Sequence, residues 1–303
     1  GFNFPRLPVR TYIPTGNKQG EYISRQRNLA IREMAPQNIL YYEGNKYQID
    51  RTKRHAQGID DKYTKIAVCH HCGYFHDRWV DVCENCHQQI VDNPQRGAAK
   101  IGRALEMDTM SARRRERITC EEEDRLKNGY QVDTYFRFDS QRQEVATVIA
   151  ADGRALLKLT YGETADLMRL NRGLKSKTSQ SSGSGFKLDP TTGQWEPNAN
   201  STNDVHNDVH LLVKNTANVL AIEPLDIPAV GRAEFMATFQ YALERAIQAV
   251  YKLEPAELDA ERLGLNNDRL LFWEAAEGGA GVLSQILTDP NSYQRLAAKA
   301  LEI

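Results

Sequence analysis

The sequence predicts an α+β fold, and three observations carry that reading. Val132, Thr134, Phe136 and Phe138 alternate with a period of two, the mark of a half-buried strand. Phe235, Phe239, Ala242, Leu243, Ala246 and Val250 recur at three- and four-residue steps, the mark of a helix with one apolar stripe. Four of the five cysteines fall within an 18-residue window, which marks a small cross-braced unit between the other elements.

The 303 residues are 41% hydrophobic and 26% charged, enough to build cores and too apolar for wholesale disorder. No apolar run approaches the roughly 20 residues that a membrane-spanning helix needs, so a soluble protein with no membrane partner is expected. Gly1 to Pro14 has neither a basic n-region nor an apolar h-region, and residue 1 is not Met, so a segment whose true start lies elsewhere is expected. Charge is uneven: residues 1–117 carry 20 Lys+Arg against 13 Asp+Glu (+7), and 118–303 carry 19 against 27 (−8). Only the first part attracts a polyanion.

Residues 1–22, with three prolines and several turn formers, read as an extended arm. Residues 23–65 read as a helix and a hairpin. Ser24 caps a helix running to about Met34, Pro36 stops it, and Ile39–Tyr42 turns through Glu43-Gly44-Asn45 into Lys46–Ile49. The cysteine unit spans 66–91. Residues 92–170 read as a basic helix, formed from Ala104 onward, and a β-meander whose later strands flank an Asp152-Gly153 turn. Residues 171–207 shift to Ser, Gly, Asn, Thr and Lys and read as a loop or linker. Residues 208–303 read as an α/β domain: a strand at Val209–Val213, the helix Arg232–Lys252, a strand at Leu270–Trp273, a helix opening at Val282, and a last helix capped by Asp289 with Pro290 at its first position.

Cys69-His70-His71-Cys72-Gly73 and Cys83-Glu84-Asn85-Cys86 form two C-x2-C pairs separated by ten residues. Each pair can sit on a tight turn and aim two thiolates at one ion about 2.3 Å away. Four thiolates close a tetrahedral Zn2+ site and leave no position for a reacting water, so the metal is structural and its compartment reducing; iron is the minor alternative. His70, His71, His76 and His87 crowd the pairs as surface histidines. The His-x-Glu and Pro-Cys-x-x-Cys signature of zinc deaminases is absent. Cys120, beside Glu121–Asp124, reads as an unreactive packed thiol. The full expectation is a zinc ribbon subdomain and a small antiparallel sheet followed by a mixed α/β C-terminal domain.

Arg113, Arg114, Arg115 and Arg117, with Lys100 and Arg103 upstream, concentrate positive charge suited to phosphates, against the alternative of a solvated helix face paired with Glu106, Asp108 and Glu116. Arg169, Arg172, Lys175 and Lys177 form a weaker basic run. Gly278, Gly279 and Gly281 lie at a strand-to-helix turn, but no P-loop lysine accompanies them and Glu277 opposes phosphate, so close helix–strand packing is the better reading. The Gly-Ser-Gly around Ser184 lacks nucleophile-elbow spacing, and no catalytic residue is assigned.

Several separated stretches resemble one family. They are Arg27-Asn28-Leu29-Ala30-Ile31-Arg32-Glu33-Met34-Ala35-Pro36, Tyr42–Tyr47, Glu121–Arg125 with Gly129-Tyr130 and Phe136-Arg137-Phe138, Asn171-Arg172-Gly173, Asn207-Asp208-Val209 and Glu277–Gly281. Together they resemble the zinc-binding C-terminal region of superfamily-two DEAD/DEAH-box helicases, of the Mrf repair type and of the DISARM and Druantia anti-phage type, the latter closer. The resemblance implies that Cys69, Cys72, Cys83 and Cys86 are the zinc ligands. It implies a non-catalytic module of an ATP-dependent DNA helicase or translocase in bacterial, cytoplasmic defence. DNA and the motor domains would be its partners, and ATP and Mg2+ would be bound only by motor domains outside this chain. The contrasting expectation is a protein–protein interaction scaffold of a defence or repair complex that does not touch DNA.

Overall fold

The computed structural model describes residues 7–15, 20–53, 58–117, 129–139, 142–175, 183–195, 204–275 and 279–303. It is an α+β arrangement of two sheets. The first has the strand order β2-β1-β8-β4-β3, from β1 (Val9–Ile13), β2 (Glu21–Arg25), β3 (Ile39–Tyr42), β4 (Asn45–Thr52) and β8 (Thr109–Arg117). It curls until its edges meet, with the Tyr42 hydroxyl donating to Glu21 at 2.7 Å. Between β2 and β3, α1 (Arg27–Glu33) buries Ala30 and Ile31 against the sheet interior. The β3–β4 hairpin is the expected one. Tyr42 pairs with Asn45, and Glu43 and Gly44 both take positive φ (46° and 72°), the two-residue turn whose twist matches the strands.

Two expectations fail in this sheet. Residues 1–22 are not simply an arm: Val9, Thr11 and Ile13 are fully buried on alternate positions of β1, with Pro8 and Pro14 flanking the strand rather than breaking it. Residues 1–6 and 16–19 lie outside the described residues. The basic helix is two strands, β7 (Lys100–Glu106) and β8. Met110 and Ala112 are buried while Arg113 is exposed, a strand alternation. β8 lies between β1, parallel to it, and β4, antiparallel to it, and those two ladders override the modest helix preference of Ala, Met and Arg. Ser24, expected to cap α1, lies in β2, and Gln26 occupies the cap position.

The second sheet is organised by two long strands, β11 (Ala155–Leu174) and β13 (His206–Pro224), antiparallel from Leu157↔Pro224 to Asn171↔Leu211. Beyond β13 come β7, β5 (Tyr63–Val68) and β6 (Phe75–His76). The expected meander is replaced by a different arrangement. β9 (Tyr130–Arg137) and β10 (Gln143–Ile149) lie end to end along β11, β10 pairing its first half and β9 its second. Both have a partner because β11 is 20 residues long.

The described parts of the expected linker, residues 171–175, 183–195 and 204–207, are ordered into the fold, and 176–182 and 196–203 lie outside the described residues. β11 runs to Leu174, and β12 (Phe186–Leu188) pairs with β13. Phe186, Leu188 and Trp195 are buried in the same core as β1 and β4. Gly185, at φ 90°, lets this segment pass so close to β13 that a Cβ would lie 2.8 Å from the Asp208 carbonyl carbon. The Ser- and Asn-rich composition hid three large apolar anchors.

At the other end of the second sheet, β14 (Leu258–Leu263) and β15 (Arg269–Glu274) extend β13, and α2 (Arg232–Tyr251) packs over them. Met236, Leu243, Ala246 and Ile247 of α2 meet Leu220, Ile222, Leu258 and Phe272 in one core with α3 (Val282–Thr288) and α4 (Ser292–Glu302). Of the stripe read from the sequence, Leu243 and Ala246 are buried and Phe239 and Val250 half-buried on this face, whereas Phe235 is exposed and Met236 and Ile247, outside the stripe, are buried. α4 starts two residues later than expected: the Asp289 carboxylate accepts the Asn291 amide at 2.9 Å, and Pro290 precedes the helix.

Candidate metal centre

β5 ends at Val68, and the chain turns through Cys69–Cys72 into β6. The second turn, Cys83–Cys86, comes from the segment between β6 and β7. The two turns share one backbone design. Gly73 N–H donates to Cys69 O at 2.9 Å, and His87 N–H donates to Cys83 O at 2.9 Å. The residue after each pair adopts positive φ, 78° at Gly73 and 58° at His87. Gly73 takes this conformation freely; His87 takes it with a side chain present.

The ligand atoms of Cys69, Cys72, Cys83 and Cys86 all lie within 4.8 Å of one another. Cys69 Sγ is 3.5 Å from Cys86 Sγ, and Cys72 Sγ is 3.7 Å from Cys83 Sγ. A tetrahedron with bonds of about 2.3 Å has edges of roughly 3.8 Å, so these sulfurs have the spacing of a four-thiolate zinc or iron site. Contacts with Cys69, Cys83 and Cys86, then burial, push Cys72 far up, whereas Cys86 is brought down to about 6, first by its contact with Cys72. Cys69, Cys72 and Cys83 are buried with Ala67, Ile90 and Ala99. These residues fit a structural metal, because all four donors come from the chain.

The neighbouring histidines stay outside this set. His70 is buried with Nε2 3.1 Å from Gly97 O, and burial lowers its pKa to about 4. His76 is buried with Nδ1 3.4 Å from Glu84 Oε2, while His71 and His87 are exposed. They are two buried and two exposed residues, not four surface ones. The cysteine unit is fastened to β9 and β13 by Asp77, which holds Lys214 Nζ at 2.6 Å and also pairs with Arg137. Those two cations outweigh the desolvation of Asp77 and keep its pKa below the ordinary carboxylate value.

The six basic residues singled out in the sequence fall into two places. Lys100 and Arg103 belong to β7 and are committed to carboxylates, Lys100 to Asp81 at 2.5 Å and Arg103 to Asp208 at 2.5 Å. Arg113, Arg114 and Arg115 are exposed on β8 and bond to side-chain amides, Arg113 and Arg115 to Gln48 and Arg114 to Asn45. The Arg117 backbone pairs with Asn45, but its side chain lies outside the described residues, as do Cys120 and Glu121–Asp124.

Arg172, one of the weaker basic run, is fully buried. Its Nε donates to Asp133 at 2.6 Å, Nη1 to Ala98 O at 2.9 Å and Nη2 to the Tyr135 hydroxyl at 2.9 Å. Ala98 lies just ahead of β7, so this guanidinium ties the base of the cysteine unit to β9 and β11. Its spacing from Met168 and Leu170, both inward on β11, was the available signal. Asn171 beside it donates to Ile31 O at 2.8 Å and so links α1 to the second sheet.

The glycine-rich turn before α3 is filled from within. Glu274, buried, accepts Leu283 N–H at 3.1 Å, Gly281 N–H at 3.2 Å and the Asn218 amide at 2.9 Å. A carboxylate of the chain sits where a phosphate would, and a Cβ on Gly279 would lie 2.2 Å from it. Close packing accounts for Gly279, whereas Gly281, where a Cβ would meet nothing, serves by its φ of 69° ahead of α3; Gly278 lies outside the described residues.

The sequence matches no family model and no curated protein. The structure is similar to that of the DUF1998 helicase MrfA bound to DNA, at 10% identity and a TM-score of 0.45, over 97% of this chain and 28% of that one. It is also similar to a second structure of MrfA, at 10% identity and a TM-score of 0.32, over 97% of this chain and 30% of that one. The chain therefore spans less than a third of the length of the chains it matches.

Proposed function

We propose that this chain is a non-catalytic, zinc-binding C-terminal module of an ATP-dependent DNA helicase or translocase, acting in bacterial anti-phage defence. The carrying observation is the closed four-cysteine cluster, whose donors all come from the chain and which is joined through β7 to the strand bearing exposed arginines. Such a site supplies folding free energy rather than chemistry, and exposed guanidiniums paired with neutral amides retain their full charge for phosphate. The resemblance of separated sequence stretches to helicase C-terminal regions supports the same reading. ATP hydrolysis belongs to motor domains outside this segment.

Two measurements on the chain and its parent polypeptide test the proposal. Elemental analysis should find one zinc per chain, lost on Cys83→Ser, and residues 1–303 alone should hydrolyse no ATP. In the parent polypeptide, Cys83→Ser should lower DNA-stimulated turnover and leave basal hydrolysis nearly intact. Less than half a zinc per freshly purified chain, or ATPase activity in the isolated segment, overturns the reading.

A further inference from the structure

The outer face of the first sheet is a basic surface studded with tyrosines. On β1 the buried set Val9, Thr11 and Ile13 leaves Arg10 and Tyr12 pointing outward; on β8 buried Met110 and Ala112 leave Ser111, Arg113 and Arg115 outward. The ladders place these side chains in rows. Tyr22 opposes Tyr12, Tyr12 opposes Ser111, and Ser111 opposes Arg51, while Arg113 opposes Gln48. Tyr22, on β2, is 61% exposed, and Tyr41, on β3, is 42% exposed. Tyr12 and Tyr22 meet edge to face with centroids 5.4 Å apart, and Tyr22 keeps most of its surface exposed in that pair. Of the described carboxylates on these strands, Asp50 lies 3.8 Å from Arg51 and Glu21 accepts Tyr42.

We infer that this outer face binds single-stranded DNA, with Tyr22 and Tyr41 stacking on unpaired bases and Arg10, Arg113 and Arg115 holding the phosphates. Cations alone would suit any polyanion, but open aromatic rings add value only for bases that are not already stacked inside a duplex. A curved sheet face with cations and aromatic rings interleaved supplies both contacts along one strand, without a groove shaped for a double helix. The inference rests on the DNA-motor reading above and adds which face is used and which form of DNA it selects.

The test uses the complete 303-residue chain and a fluorescein-labelled oligothymidine, with a duplex and an oligouridine of equal length, in anisotropy titrations over a salt series. The wild type should bind oligothymidine at least about tenfold tighter than the duplex, since base stacking on a protein ring is worth a factor of this order or more. Tyr22→Ser and Tyr41→Ser should each weaken binding about tenfold, and Tyr22→Phe and Tyr41→Phe should restore it, because Phe keeps the ring. Arg113→Gln with Arg115→Gln should reduce the slope of log K against log salt by about 1.4, near 0.7 per phosphate contact on a single strand. DNA binding that is unmoved by all four serine and glutamine changes, or that favours duplex or oligouridine, overturns this inference and leaves the DNA-module reading standing. A folded, metal-loaded wild type that binds no DNA at low salt overturns both.

Discussion

Replacing Arg172 with Met tests whether the buried guanidinium holds the cysteine unit to the second sheet. The native side chain is fully buried and makes three hydrogen bonds, one to the Asp133 carboxylate at 2.6 Å. Met fills much of the volume but leaves Asp133 without its cation and the Ala98 carbonyl without its donor. Removing one partner of a buried ion pair costs about 3–5 kcal/mol, much of it from the charge left behind. At roughly 2–4 °C per kcal/mol, the melting temperature should fall by about 6–20 °C. Asp133→Asn in the same chain removes the stranded charge and should recover about 1–2 kcal/mol, so the double variant should be more stable than Arg172→Met alone. Arg172→Lys should fall between, because one ammonium cannot reach three divergent acceptors. Thermal and urea unfolding followed by circular dichroism give these values. A loss below about 1 kcal/mol for Arg172→Met, or a double variant that loses the sum of the two single changes, would refute the account.

Two further predictions rest on single groups. His210 is buried with Nδ1 2.9 Å from Asp208 O and Nε2 3.3 Å from Gly183 O, and burial, with Arg172 nearby, lowers its pKa. A depressed folded-state pKa means that stability is fully present above the unfolded value of about 6.5 and is lost as pH falls below it. Unfolding midpoints measured from about pH 7.5 to about pH 5 should therefore decline, and His210→Gln should decline less steeply; an identical slope would remove His210 from the cause. Gly279→Ala should cost about 2–4 kcal/mol, since it places a Cβ at φ 66° and 2.2 Å from Glu274 Oε2. Thermal unfolding unchanged from wild type would show that Glu274 does not fix this turn.

What could be read in the sequence was whatever depends on near neighbours in the chain. The cysteine quartet follows from two C-x2-C spacings, the β3–β4 hairpin from Glu43-Gly44-Asn45 between apolar runs, and α2 from its stripe. What could not be read depends on distant partners. β8 consists of residues that tolerate a helix, and only β1 and β4, one pairing in parallel and the other antiparallel across large sequence gaps, make it a strand. Arg172 lies in a run that looks basic and exposed, and only the convergence of Asp133, Tyr135 and Ala98 reveals it as buried. Phe186 and Trp195 stand isolated among polar residues, yet both reach the core shared with β1 and β4.

The path of the chain gives the metal centre a mechanical route to the arginine face. The segment leaving Cys86 runs past Ala98, which Arg172 holds, into β7, and only Met107 and Asp108 separate β7 from β8. Met107 is buried in the core of the first sheet, and its amide donates to Leu212 O of β13 at 2.9 Å. β7 pairs with β13 and β5, whereas β8 pairs with β1 and β4, so the two-residue joint passes from one sheet directly into the other. Among the described residues, the small cluster around the cysteines adds Ile90, Ala67 and Ala99 as buried apolar residues and Tyr74 and Val80 half-buried against them, a small core for a segment whose thiolates would lose an ion. Loosening there is opposed at the Arg172 node and again at Met107, and β8 keeps two ladders of its own. Metal loss should consequently reach β7 first and the arginine-bearing strand last, which is the order expected when an ion held by the cysteines organises β7 and its neighbours rather than the outer face of the first sheet.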